Sequence, residues 1–261
     1  MGIDLKLIQA YIADFKKKRR EYPSLLAPNA TLPIVWFGDS EAYFSGGKCI
    51  VTVGLNPSCK EFEADRFAPI TLGMEGDAAK LKKTLDRYFD TQPYLSWFCH
   101  YGRVLYALGA TYFGNNGKAK AIHIDMFSAI ATISGWRKMD PDTVTEFANT
   151  CLFKRLRNNL APKLFVFSGR KSDLEKQFEG FEFESEYPAK KKGVHLELWK
   201  RDDGTHLLFG TNGLRGPFEH FDDRELYGAI ATWRLKEFVQ GMPCPLCGRA
   251  KCETDETIGT T

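Results

Sequence analysis

The chain has 261 residues and is 43% hydrophobic, which is enough to bury a large core and excludes a disordered or fibrous protein. Its 36 basic and 33 acidic residues leave a net charge of +3. A protein that coats nucleic acid through bulk charge is thereby excluded, and any nucleic-acid contact has to come from a local patch.

In chain order, residues 4–20 read as an amphipathic helix, with Leu5, Ile8, Ile12 and Phe15 at helical spacing. It closes on Lys16-Lys17-Lys18-Arg19-Arg20, a solvated cap whose charge suits the helix dipole. Pro23, Pro28 and Pro33 mark a connecting loop before a short apolar edge strand at 34–37. Ile50–Val53 predicts a buried strand, followed by helices near 76–89 and 97–112, the second turning Phe98, Leu105 and Leu108 inward. The next strand, 121–124, ends on Asp125. One helix is predicted from Pro141 to Leu160, with Val144, Phe147, Cys151 and Leu156 on one face. A strand at 164–167 and a helix from 171 follow. Residues 194–199 and 206–209 flank the hairpin turn Arg201-Asp202-Asp203-Gly204, and a last helix runs from Asp222 to about Gln240 with Glu225 completing a capping box.

Strands alternating with helices predict an α/β protein: a three-layer α/β/α arrangement with a short, mostly parallel central sheet. The organisation is read as an N-terminal helix and loop (1–33), an α/β domain (34–240) and a cysteine-containing appendage (241–261). Ligands of such sheets bind beyond the carboxyl ends of the strands, so the loops after residues 53, 124 and 209 matter most. No apolar run approaches the ~18 residues of a membrane span. The first residues lack the basic-then-apolar order of a signal peptide, so a cytoplasmic protein without a membrane partner is expected.

Three loops carry candidate chemistry. In Gly54-Leu55-Asn56-Pro57-Ser58 the glycine permits a tight exit and the proline fixes the backbone, holding Asn56 at the strand end to orient a water or bind a ligand. Asp125, when ionised, only accepts hydrogen bonds and so seeks a donor. Asn212-Gly213-Leu214-Arg215 combines a polar group, a flexible joint, an apolar wedge and a cation; leucine can fill a gap in a base stack and arginine can hold phosphate. His220 lies near that loop as a further phosphate contact. As ordinary turns, all three loops need no function.

The order strand–GLNPS, strand–Asp125, strand 164–167, strand–Asn212-Gly213-Leu214-Arg215, helix resembles the uracil-DNA glycosylase superfamily, nearest its mismatch-specific uracil and thymine branch. That family's first motif is Gly-hydrophobic-Asn-Pro-Gly, matched here except that Ser58 replaces the last glycine. Its final motif is matched in kind but is shorter here and lacks a Pro-Ser pair. The resemblance implies a monofunctional DNA glycosylase, for base-excision repair or for defence against phage with modified DNA. DNA is the implied partner, with no obligatory protein partner and no cofactor required for catalysis. The nucleotide is flipped out of the duplex because its glycosidic bond is unreachable in the stack. By the same analogy Asn56 positions the attacking water, Asn212 stabilises charge on the departing base, Leu214 plugs the stack, Arg215 grips the strand, and Phe62 or Phe67 stacks on the base. Ser58 is small enough to admit a 5-substituted base. Many family members have Asn where this chain has Asp125, and a carboxylate suits the exocyclic amine of cytosine. A uracil-like or modified base, cytosine-derived in particular, is the expected substrate. A catalytically inactive nucleic-acid-binding module with a zinc knuckle is the alternative.

The knuckle is Cys244-Pro245-Leu246-Cys247-Gly248 followed by Cys252, whose Cys-x-x-Cys-Gly turn suits a structural zinc; Cys99, His100, a distant cysteine or an aspartate such as Asp255 would complete the tetrahedron. A reduced tail and a disulfide formed on oxidation are the other readings. His123, alternating with apolar neighbours, reads as a satisfied buried histidine, and the acidic stretch 61–65 is placed away from the site.

Overall fold

The computed structural model describes residues 2–47, 50–63, 77–91, 93–113, 119–211 and 216–236. Helix α1 (Leu5–Glu21) is capped by the Asp4 side chain and buries Leu7, Ile8, Tyr11, Ile12 and Phe15. Leu5, expected on that stripe, is exposed: the buried face begins at Leu7. Lys18 also departs from the expected solvated cap. It is buried, donates to the Glu146 carbonyl, and holds its ammonium 5.4 and 5.5 Å from the Tyr22 and Phe147 ring centres. After helix α2 (Ser40–Ser45) comes strand β1 (Ile50–Gly54), buried along its whole length. A 3-10 turn (Cys59–Phe62), helix α3 (Ala78–Asp86) and helix α4 (Leu95–Leu108) lead to strands β2 (Ala110–Thr111) and β3 (Ala119–Asp125). Gly109 ends α4 in the left-handed region at φ 76°, a conformation open to glycine at little cost.

The helix expected over 141–160 is two helices, α5 (Pro141–Phe147) and α6 (Thr150–Leu160). Ala148 is extended, and the Asn149 side chain accepts from Leu152 N, so the asparagine caps a new helix where continuous periodicity suggested one. Cys151 consequently faces solvent. Strand β4 (Leu164–Gly169), helix α7 (Lys171–Gln177), strands β5 (Glu182–Pro188), β6 (His195–Lys200) and β7 (His206–Thr211), and helix α8 (Asp223–Thr232) complete the elements. The capping box between Asp222 and Glu225 forms as expected, but α8 ends at Thr232 rather than near Gln240.

The strands form one seven-stranded sheet, ordered β2-β3-β1-β4-β7-β6-β5 and flanked by helices in a three-layer α/β arrangement. The first five strands are mutually parallel, and β6 and β5 add antiparallel pairs at one edge. The sheet is therefore longer than the short one expected, because the 194–209 hairpin joins it and β5 extends it. Residues 34–37 contribute a single bridge, Phe37 to His123, rather than an edge strand. Helix α1 packs on α3 and α6, and α4 on α8. No helix among the described residues is long and apolar enough to cross a membrane.

Candidate active site

Strands β1 and β3 run side by side and in register, Gly54 opposite Asp125, so the loops that leave them open on the same edge of the sheet. There a cleft of about 420 Å³ is walled by Asn56, Ser58 and Asp125 from the strand ends, by Trp97 and Phe98 from α4, and by the segment Thr132–Lys138. Two of the three loops picked out in the sequence thus meet in one concavity, and its apolar, aromatic walls suit a flat ring.

Gly54 is glycine for a steric reason. A Cβ at that position would lie 2.3 Å from Asp125 Oδ1 and 2.8 Å from His123 Nε2. The bare strand end is the space that the neighbouring strand's carboxylate and imidazole occupy. Turn geometry, the reason read from sequence, is not what the position demands.

Asn56 is oriented by an unambiguous chain of hydrogen bonds. The Thr132 hydroxyl donates its one proton to the Ser134 carbonyl at 2.6 Å. It can therefore only accept from Asn56, whose Nδ2 lies 2.9 Å away. The second amide hydrogen goes to the Pro57 carbonyl at 3.0 Å. Both donors are spent, and Oδ1 is left without a partner among the described residues, an acceptor on the cleft wall.

Asp125 is buried, with His123 Nε2 3.6 Å from its Oδ1. Burial pushes its carboxyl above the ordinary 3.8, and His123 opposes that shift. The raised value makes the native state bind a proton that the unfolded chain releases. The cost of the buried charge is thus full above the raised value and vanishes below the ordinary one. Asp125→Asn is expected to raise Tm at neutral pH, with the gain shrinking as pH falls into the carboxylate range. Thermal unfolding of both proteins across that range measures it.

Comparison with protein-family models, with curated proteins and with solved structures gives no match. The functional reading therefore rests on the site itself and on the motif resemblance.

The other candidate residues are distributed as follows. Ser58 lines the cleft, but its hydroxyl is committed to capping the 3-10 turn, accepting from Lys60 N at 3.2 Å. Phe62 is not available to stack on a ligand in that cleft: it is buried in the core, with its remaining surface on a separate cavity of about 170 Å³. His220 stands 3.1 Å from Lys191 Nζ, away from the cleft walls and just before α8. Asn212, Leu214, Arg215, Phe67, Cys244, Cys247 and Cys252 lie outside the described residues. Among the described residues no group of three or more His, Cys, Asp or Glu side chains is arranged to hold a metal.

Strand β7 ends at Thr211, and Phe218 N donates to Ser168 Oγ at 3.1 Å at the end of β4. A Cβ on Gly216 would meet the His100 ring at 2.5 Å, and His100 sits on α4, which also supplies Trp97 and Phe98 to the cleft.

Sequence reasoning missed several wall residues. Glu61 belongs to an acidic stretch read as remote, yet it is buried beside the cleft and accepts from Tyr88 OH at 2.5 Å. Thr132 carried no local signal. Ile133 is half exposed on the rim, and Arg137, paired with Asp173 at 2.7 Å, and Lys138 bring positive charge there. These rim cations lie on a loop that the sequence analysis left undescribed.

Proposed function

We propose that the chain is a DNA glycosylase that hydrolyses the N-glycosidic bond of a flipped-out, uracil-like or modified base, with Asp125 favouring one that carries an exocyclic amine. The observation that carries the reading is the Asn56 amide, both its donors spent and its oxygen unpartnered among the described residues, in the wall of an aromatic cleft of about 420 Å³ beside a buried carboxylate. Oδ1 orients the water that attacks the sugar carbon as the bond to the base breaks. Trp97 and Phe98 offer apolar walls for a ring, and Asp125 accepts from the edge of the base. Asn212, Leu214 and Arg215 take the roles that the family resemblance assigns them: stabilising the leaving base, filling the stack and holding the strand. Sequence order supports the same reading, since Asn56 follows β1 and Asp125 ends the adjacent β3.

The test is abasic-site formation on duplexes carrying single defined bases: uracil, thymine mismatches, cytosine, and hydroxymethylated or glucosylated cytosine. Release of at least one base supports the proposal, and tight DNA binding without release of any supports an inactive binding module instead. Asp125→Asn is expected to shift the preference from amine-bearing bases toward uracil. The same preference in both proteins would remove Asp125 from base recognition.

A further inference from the structure

Behind Asp125 lies a buried polar chain that the reaction as described does not use. Thr52 on β1 places its hydroxyl 2.8 Å from His123 Nδ1 and beside the Tyr112 hydroxyl. All three side chains are buried, and the imidazole is enclosed by the rings of Phe37, Phe98 and Tyr101 at centroid distances of 5.4, 5.2 and 5.5 Å. The proton count settles the direction of the chain. Tyr112 OH has Thr52 as its one polar partner among the described residues, and a buried phenol without an acceptor is costly. Tyr112 therefore donates to Thr52. Thr52 has one proton to give, and Nδ1 at 2.8 Å is a far better acceptor than the Ile122 carbonyl at 3.5 Å. With Nδ1 as the acceptor of that shorter bond, the neutral imidazole carries its hydrogen on Nε2, the atom that faces Asp125 at 3.6 Å.

We infer that His123 is the positioning residue for Asp125: a Tyr112–Thr52 relay locks it as the Nε2–H tautomer, whose N–H dipole faces the carboxylate and holds it in place at the cleft. Asp125 is the charged group that faces the ring among the described residues; the other neighbours from β1, α4 and the Phe37 bridge are neutral. Gly54 is the opening that allows this approach. The relay gives Asp125 one role, acceptor, and so selects a base edge that offers a donor. That last clause rests on the proposed glycosylase reading; the tautomer does not.

The experiment is long-range proton–nitrogen correlation NMR on the full chain with labelled histidine, the His123 signal being assigned by its loss in His123→Gln. The wild type is expected to show the neutral Nε2–H pattern at neutral pH. Thr52→Val should convert it to a mixture of tautomers, and Thr52→Ser should restore it. An Nδ1–H tautomer or an imidazolium in the wild type overturns the inference, and that measurement needs no variant to fold. An unchanged signal in folded Thr52→Val also overturns it. On the panel of duplexes, Thr52→Val should move base preference in the direction of Asp125→Asn, and Thr52→Ser should return it. If no base is released from any duplex, the glycosylase reading fails while the NMR result still decides the relay.

Discussion

Asn56→Ala is expected to abolish base release while leaving the protein folded. The amide oxygen on the cleft wall is the proposed anchor for the attacking water, and misplacing a reacting group by about 1 Å can cost 10²-fold; complete loss of the anchor should cost at least that. Stability should fall by about 1–2 kcal/mol, a few degrees of Tm, without unfolding the protein. The variant loses the bonds to Thr132 and Pro57, at 2.9 and 3.0 Å, worth about 1 kcal/mol each in net terms. Thr132 keeps its own acceptor in the Ser134 carbonyl. Single-turnover abasic-site assays and thermal unfolding on the same preparation separate the two effects. Thr132→Val should give an intermediate loss, because the oxygen remains but one of the two bonds that fix its direction is gone. Equal rates in wild type and Asn56→Ala would remove the central residue of the mechanism.

Gly54→Ala attacks the same site through packing. The new methyl would stand 2.3 Å from Asp125 Oδ1 and 2.8 Å from His123 Nε2, so the carboxylate and the ring must move away from the strand end. Overpacking of a buried position costs about 1–3 kcal/mol, which is several degrees of Tm for a domain of this size. The displacement should also cost base selectivity, as Asp125→Asn does. A double variant tells strain from backbone effects: Asp125→Ala added to Gly54→Ala should recover part of the lost stability, a non-additivity expected only where two groups compete for one space. Additive losses would mean that the glycine serves the backbone and not the carboxylate.

The parallel core was readable because β1, β3, β4 and β7 are short apolar runs, buried through the middle of the sheet. Residues at their carboxyl ends were readable with them, which is why Asn56 and Asp125 could be named before any coordinates. What could not be read was lateral. Thr132 lies 76 positions from Asn56, in a largely apolar connecting segment where a lone threonine gives no sign of a role, and only the fold brings its hydroxyl to the amide. Glu61 looked like solvated charge, since one charged residue in a charged stretch gives no sign of being turned inward. Strand β5 alternates charged residues with Phe183 and Tyr187 on an exposed edge, so no core-facing pattern marks it. Phe62 shows the converse: an aromatic just after the Gly54–Ser58 loop reads as a stacking platform, and core packing claims it. His123 was read as a satisfied buried histidine, which it is through Thr52, but its other nitrogen faces the carboxylate of the site.

The Asn56–Thr132–Ser134 chain also ties two pieces of backbone together. Residues 132–138 form one wall of the cleft and carry the half-exposed Ile133, while Asn56 belongs to the opposite strand end. Backbone bonds from Ala27 N to Ala131 O and from Ile133 N to Leu25 O, both 2.9 Å, hold that wall in place, and through Thr132 it holds the amide. The amide that the proposed function uses to orient water is therefore held by the same segment that walls the cleft, so the shape of the cleft and the direction of the amide are set together.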